Sequence, residues 1–317
     1  MNKKFDEFYK NLKTLCEEKM SSAWEEAKKE NKKANTVFLI LAGIIDAAII
    51  YMMSPTIKEN FIGLFPCLVT CMMADIFLYA IVTVCFSKKR KQYTKMFKEN
   101  VINELLSNFY NRVVYLPESQ MPSNVYDEAQ YKEYYNRYYS DDYMEAKIDK
   151  KYDIKMAEVK TVHVERHRTS DGKTRTTTTI KFHGMFAKID LNKSINNDLL
   201  IRDNGGANYK ERLEMDSDEF EKYFDVSSKD KIVGMQILTH DIMEMLLEFR
   251  KNNKFRFDIS IYNNIMYLRF KTGEMFELKS IKKGAFDEEL IRSYYNILEF
   301  IDTLSDKIIQ VIEETEI

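Results

Sequence analysis

Two aspartates stand where carboxylates are rare. Asp46 and Asp75 each interrupt a long apolar run, Thr36 to Met53 and Phe61 to Phe86. A carboxylate at the centre of a membrane-spanning helix costs on the order of 2.5 to 3.5 kcal/mol, so both side chains should face protein rather than lipid. Near the middle of two antiparallel spans they would reach similar depth, and two chemistries are open to such a pair. One is a shared proton or a bound cation within an oligomer, with mutual repulsion raising one pKa. The other is a neutral hydrogen-bonded contact between helices, helped by the small Ala42, Gly43 and Ala47; it is the favoured reading for a chain with only two spans.

The remaining candidates are weaker. Gly172-Lys173-Thr174 imitates the end of a phosphate-binding loop. His167 stands where the opening glycine belongs, and the surroundings read as a hairpin, so that reading is rejected. Gly205-Gly206 reads as a turn. His163 and His167 would align for a metal on a helix, but on a strand they lie roughly 13 Å apart on one face. No carboxylate pair has a spacing that singles it out for acid–base work, and there is no serine nucleophile elbow. No catalytic set, no metal site and no cofactor is therefore expected, and the chain is read as a binding protein rather than an enzyme.

These residues need elements to hold them. The first apolar segment (36–53) is at the short end for a spanning helix and the second (61–86) is ample, so 36–86 is read as a transmembrane hairpin. A strongly polar stretch precedes it, which excludes a signal peptide. Lys28, Lys29, Lys32 and Lys33 precede the first span, and Lys88, Lys89, Arg90, Lys91 and Lys95 follow the second, against only Lys58 beside Glu59 between them. Both termini and the main domain are therefore expected in the cytoplasm, with Lys88, Lys89, Arg90 and Lys91 available to anionic headgroups. The four cysteines form no disulfide framework. A formal net charge of −2 and a pI near 6.2 give no reason to expect nucleic acid. The expected partners are the lipid bilayer and a protein partner or further copies of the chain.

Residues 1–35 space apolar positions three and four apart, an amphipathic helix leading into the first span. In the segment 87–145, Met96 to Phe109 is expected to continue a helix as far as Leu116-Pro117, and the tyrosine-rich Ser123 to Tyr143 reads as a further amphipathic helix. Residues 146–285 alternate as strands over Lys155 to Arg168 and Arg175 to Leu191, joined by a turn at Ser170-Asp171-Gly172-Lys173. A short strand at Leu199 to Ile201, a helix from Asp216 to Tyr223, a strand from Lys231 to Leu238, a helix capped by Thr239 and a hairpin through Phe255 to Lys271 complete the domain. In 286–317, Leu290, Tyr294, Ile297, Ile301, Leu304, Ile308 and Val311 trace a coiled-coil seam. The fold class is α+β: a two-helix transmembrane hairpin with amphipathic flanking helices, a mainly antiparallel sheet domain, and a long C-terminal helix.

Phe182 to Lys193, Glu219 to Asp230, Ile237 to Leu247 and Tyr267 to Leu278 resemble the bacterial family called domain of unknown function 3137. The resemblance implies a bacterial cytoplasmic membrane, two spans near the N-terminus and a cytoplasmic α+β domain, and it carries over no functional residues. His240 departs from the proline common at that helix start. Within these motifs His183, Asp190, Lys193 and Glu219 are the candidates for a ligand or structural site, with His183 read as a buried, hydrogen-bonded side chain. Three functions follow: a membrane-anchored cytoplasmic binding or scaffolding module, an oligomeric channel or transporter subunit using Asp46 and Asp75, or an enzyme acting on a membrane-associated substrate.

Overall fold

The computed structural model describes residues 3–59, 64–148, 152–168, 174–193, 195, 197–203, 211–278 and 284–315. The chain divides into two units, one of Met1–Ile102 with Leu278–Glu288 and one of Asn103–Glu277 with Glu289–Ile317.

In the first unit the polar helix and the first apolar segment are one continuous helix, α1 (Lys3–Glu59), which passes through Pro55 in its last turns. Phe5, Leu12, Cys16, Met20, Ala27, Ala34 and Ala42 are buried at mostly seven- and four-residue steps, so the heptad-like seam of this unit lies on α1. Its small end lets α2 (Leu64–Cys85) approach closely: Ala34 and Ala42 pack on Leu78 and Val82. Val37, Phe38 and Ile45 pack around this contact, while many other apolar side chains, among them Leu39, Ile44, Phe65, Met72, Ile76 and Phe77, point outward. Both helices are long and apolar enough to cross a membrane, and only 6% and 11% of their most apolar windows are buried. A core helix of a soluble protein would be mostly covered.

After α2, α3 (Lys88–Met96) passes into a π-helical stretch, Phe97–Ile102, whose Phe97, Val101 and Ile102 are buried. Ser87 caps α3 with no side-chain hydrogen bond. Glu30 of α1 does so instead, accepting from the backbone N–H groups of Lys89 (2.8 Å) and Arg90 (3.4 Å).

The second unit opens with α4 (Asn103–Phe109). Its helix stops there, short of the expected Leu116-Pro117, because Asn111–Leu116 pairs as strand β1. The tyrosine-rich segment likewise forms only a short helix, α5 (Ser123–Asp127), followed by strand β2 (Arg137–Ile148). Its tyrosines serve the sheet: Tyr126 and Tyr131 are buried against Ala157, Val159, Phe182, Phe186 and Tyr267. Strands β3 (Tyr152–Arg168) and β4 (Thr174–Asp190) pair as expected, their connecting turn lying outside the described residues. Then follow β5 (Leu199–Asp203), β6 (Arg212–Leu213), α6 (Asp218–Glu221) and β7 (Phe224–Ser228).

Lys231 to Leu238, expected as a strand, is helix α7 (Lys231–Ile237). Asp230 accepts from the N–H groups of Ile232 and Val233, and such a cap outweighs the strand-like alternation of the residues behind it. Helix α8 (His240–Asn252) starts on Thr239 as expected. Strands β8 (Phe257–Tyr262) and β9 (Ile265–Phe270) form the expected hairpin, its turn made by Asn263 and Asn264 in left-handed conformation. Helix α9 (Glu288–Thr315) ends the chain.

Among the described residues the strands form one antiparallel sheet, in the order β1-β2-β3-β4-β9-β8-β5-β7-β6. Phe257 and Phe270 on one face meet Phe249 of α8 and Phe300 of α9, the last two stacked at 3.8 Å. Of the seam residues, Leu290, Tyr294, Ile297, Ile301, Leu304 and Ile308 are buried and Val311 is half-buried, while Ile291, Leu298, Ser305, Ile309 and Ile312 are buried beside them. That face is wider than a two-helix coiled-coil seam, and the unit's own core uses it.

Candidate functional site

His183 precedes Gly184, and the pair has a structural cause. Gly184 has φ +154°, and a Cβ there would sit 1.9 Å from the Phe270 carbonyl oxygen and 2.7 Å from the Thr272 nitrogen. Only glycine lets β4 come this close to the end of β9. The adjoining His183 carbonyl accepts from the Gly273 N–H (3.1 Å), and its ring Nε2 lies 2.9 Å from Glu158 Oε1 on β3. Glu158 also accepts from the Met275 N–H (2.6 Å). Burial pushes the Glu158 carboxyl above its usual range, against the opposing effect of the Met275 and His183 hydrogen bonds. Asp141 and Asp142, at the bulge where β2 shifts register on β3, bring carboxylate oxygens within 4.8 Å of those of Glu158. A cation could bridge that spacing. The carboxylates already have other tasks, however: Asp142 accepts from the Tyr115 hydroxyl at 2.5 Å, and Glu158 is held as described. This is a self-satisfied polar cluster; His183, expected to be buried, is half-buried and hydrogen-bonded to Glu158.

The opposite end of the sheet offers space instead. Away from the helices, Leu200 of β5 lies between Ser227 of β7 and Ser260 of β8. These residues floor a recess of about 630 Å3. Both serines are buried, at 4% and 3% exposure, yet neither hydroxyl has a hydrogen-bond partner among the described residues. Lys132, Arg202 and Asp198 stand at its walls, so both signs of charge are present. Lys132 and the neighbouring wall residue Gln130 have φ of 51° and 56°, an uncommon conformation for side-chain-bearing residues that concentrates at functional sites. The volume falls in the range of small-molecule sites, roughly 300 to 1,000 Å3.

Residues 180–308 match the family described as Protein of unknown function (DUF3137). The resemblance read from the sequence thus holds over this segment. No curated protein and no solved structure matches the chain. The DUF3137 segment contains His183 and the whole floor of the recess, Leu200, Ser227 and Ser260, whereas Tyr115, Asp141, Asp142 and Glu158 lie before it. The floor of the recess thus lies within the matched segment, while its wall residues Gln130 and Lys132 precede it.

The other sequence candidates do not gather around His183. Asp190 accepts from the Asn192 N–H (3.0 Å), Lys193 pairs with Glu313 on α9 (2.7 Å) and Glu219 with Lys251 on α8 (2.5 Å). The last pair is exposed, and each partner favours the charged form of the other, lowering the Glu219 pKa and raising that of Lys251. His163 and His167 both engage Glu165 between them, at 2.8 and 3.0 Å, which lowers the Glu165 pKa. Gly172-Lys173 and Gly205-Gly206 lie outside the described residues. In the basic cluster, Lys89 pairs with Glu26 (2.6 Å), while Lys88, Arg90 and Lys91 are exposed. In the apolar helices, Asp46 meets Cys71 of α2 one turn before Asp75, and one oxygen of each aspartate is buried without a hydrogen-bond partner.

Sequence reasoning missed the recess because its floor joins three distant strands. It also missed Arg269, whose charge within Ile265 to Phe270 was a visible signal. That guanidinium is buried and bonds Asp258 (2.6 Å), Glu133 (3.0 Å) and the Tyr126 hydroxyl (2.9 Å).

Proposed function

We propose that this chain is a membrane-anchored binding module in which α1 and α2 cross the bilayer and the sheet unit takes a small polar ligand in the Ser227–Ser260 recess. The observation that carries the reading is a pair of serines, 4% and 3% exposed, that line an open recess and whose hydroxyls have no protein partner among the described residues. Such hydroxyls are free to donate to and accept from a ligand, each bond contributing about 0.5 to 1.5 kcal/mol. Mixed charge at the walls suits a polar or zwitterionic molecule. The outward apolar faces of α1 and α2 support the anchor, and the lysine excess at both outer flanks supports a cytoplasmic placement of the termini and the sheet unit.

The test is extraction of the full-length protein from its native membrane, followed by mass spectrometry of bound small molecules, for the wild type and for Ser227→Leu and Ser260→Phe. A species present in the wild type and lost from both well-folded variants is the expected result. An identical set of bound species in all three refutes the site.

The unpartnered oxygens of Asp46 and Asp75 favour a second reading, a proton or cation path made by several copies. It requires that Asp46→Asn or Asp75→Asn abolish a flux in proteoliposomes while the fold is retained.

A further inference from the structure

Strands β3 and β4 continue beyond the body of the sheet as a two-stranded ribbon. Pairing of β2 with β3 ends at Arg137↔Val162, and pairing of β9 with β4 begins only at Met185↔Phe270. Between those limits β3 and β4 pair with each other alone, from His163↔Thr179 to Arg168↔Thr174. Asn136 adds a last rung, its side-chain amide donating to the Val164 carbonyl (2.8 Å) and accepting from the Val164 N–H (2.9 Å). Past that rung the outer edge of β3 has no pairing strand among the described residues. Glu165 to Arg168 and Thr174 to Lys181 are exposed at every position. A strand with one covered face would alternate, so both faces of the ribbon meet solvent.

A bare two-stranded ribbon is marginal in water. Its charge is one-sided: Arg166, Arg168, Arg175 and Lys181 oppose Glu165 alone among the described ribbon residues, in a chain whose net charge is −2. The faces also differ. On one, Glu165 is occupied by His163 and His167. The other runs from Val164 and the 54%-exposed Ile180 through Thr178, Thr176 and Thr174 to Arg166 and Arg168, with no acid. The guanidiniums stand toward the free end of that face, away from the sheet body, where they can meet a bilayer surface and pair with phosphate in bidentate fashion.

We propose that the free end of this ribbon docks on the anionic headgroups of a lipid bilayer, with Arg166 and Arg168 on phosphates. The proposal rests on the membrane-anchored reading, since a tether raises the effective concentration of such a surface. A β-ribbon also fits a nucleic-acid major groove, and the test below includes that case.

The experiment is hydrogen exchange of the full-length protein in nanodiscs of phosphatidylcholine, with and without phosphatidylglycerol. Peptides from 162–181 report the ribbon, and peptides from 64–85 report the membrane placement independently. With each of the two arginines contributing about fivefold near an anionic surface, exchange in the ribbon should slow by about twenty-five-fold with phosphatidylglycerol. Salt and the R166Q/R168Q variant should abolish that slowing, with 64–85 protected throughout. Equal ribbon exchange in both discs, with 64–85 protected, overturns the docking and leaves the anchor standing. Unprotected 64–85 in both discs overturns the anchor and the docking with it. Slowing by an added DNA duplex in phosphatidylcholine discs, without slowing by phosphatidylglycerol, overturns the lipid assignment in favour of nucleic acid.

Discussion

Gly184→Ala is the sharpest perturbation of the His183 region. The added methyl would lie 1.9 Å from the Phe270 carbonyl oxygen, 2.7 Å from the Thr272 nitrogen and 2.9 Å from Thr272 Oγ1. Two of these three atoms are backbone, fixed by the Met185↔Phe270 pairing and by the Gly273 N–H to His183 carbonyl bond. No rotamer change removes the clash, so β4 and β9 must part. Overpacking costs about 1 to 3 kcal/mol, and a side chain held at φ +154° costs about another 1 to 3 kcal/mol. The sum is a large share of the roughly 5 to 15 kcal/mol that stabilises a domain. For a unit of this size the melting temperature should fall by roughly 5 to 20 °C. Near-ultraviolet circular dichroism of the full-length protein reads the tyrosine- and phenylalanine-rich sheet unit directly. Gly43→Ala is the matched control, because its Cβ would meet nothing within 4 Å. A Gly184→Ala melt that coincides with both wild type and Gly43→Ala would refute the close-approach argument.

Two further outcomes follow from the packing and the buried acids. Ile301→Ala and Leu304→Ala remove side chains that are 0% exposed, so each should lower stability by about 2 to 5 kcal/mol while light scattering finds the particle size unchanged. A changed particle size at undiminished stability would mean that α9 pairs between copies after all. Glu158 has a raised folded pKa, so its contribution to stability is fully present below the ordinary carboxylate range and is lost as pH rises through the folded value. Melts from about pH 4 to about pH 8 should therefore decline less steeply for Glu158→Gln than for wild type; parallel curves would remove Glu158 from the pH dependence.

What was legible in the sequence was periodic or local. The apolar runs gave α1 and α2, alternation gave β3 and β4, and Thr239 marked a cap that depends on near neighbours alone. Lys231 to Leu238 shows where this fails: Val233, Met235 and Ile237 alternate as on a strand, while Val233 and Ile237 also stand four apart as on one face of a helix, and the deciding group, Asp230, lies just outside the window. The tyrosines of 123–143 were misread for a different reason. Whether Tyr126 and Tyr131 face solvent or core depends on Phe182, Phe186 and Tyr267, which arrive from far along the chain. The recess was illegible on the same ground, since Ser227 and Ser260 become neighbours only through Leu200.

Arg269 ties stability to the recess. A buried guanidinium is tolerable only when fully bonded, and Arg269 meets that condition by drawing Asp258, Glu133 and Tyr126 around it and lying 4.1 Å over the Tyr131 ring. Tyr131 is held again from its backbone, where the Arg202 guanidinium bonds its carbonyl, and by its hydroxyl, which donates to the Tyr267 carbonyl (3.0 Å). Gln130 and Lys132, the two left-handed residues of the recess wall, flank this clamped residue on either side. Strained conformations persist only where the surroundings over-determine them, and Tyr131 is over-determined by three separate contacts. The wall of the recess therefore owes its shape to an ion-pair network buried beside it. For the proposed ligand, the backbone of that wall would already be in place, so less ordering entropy would oppose binding.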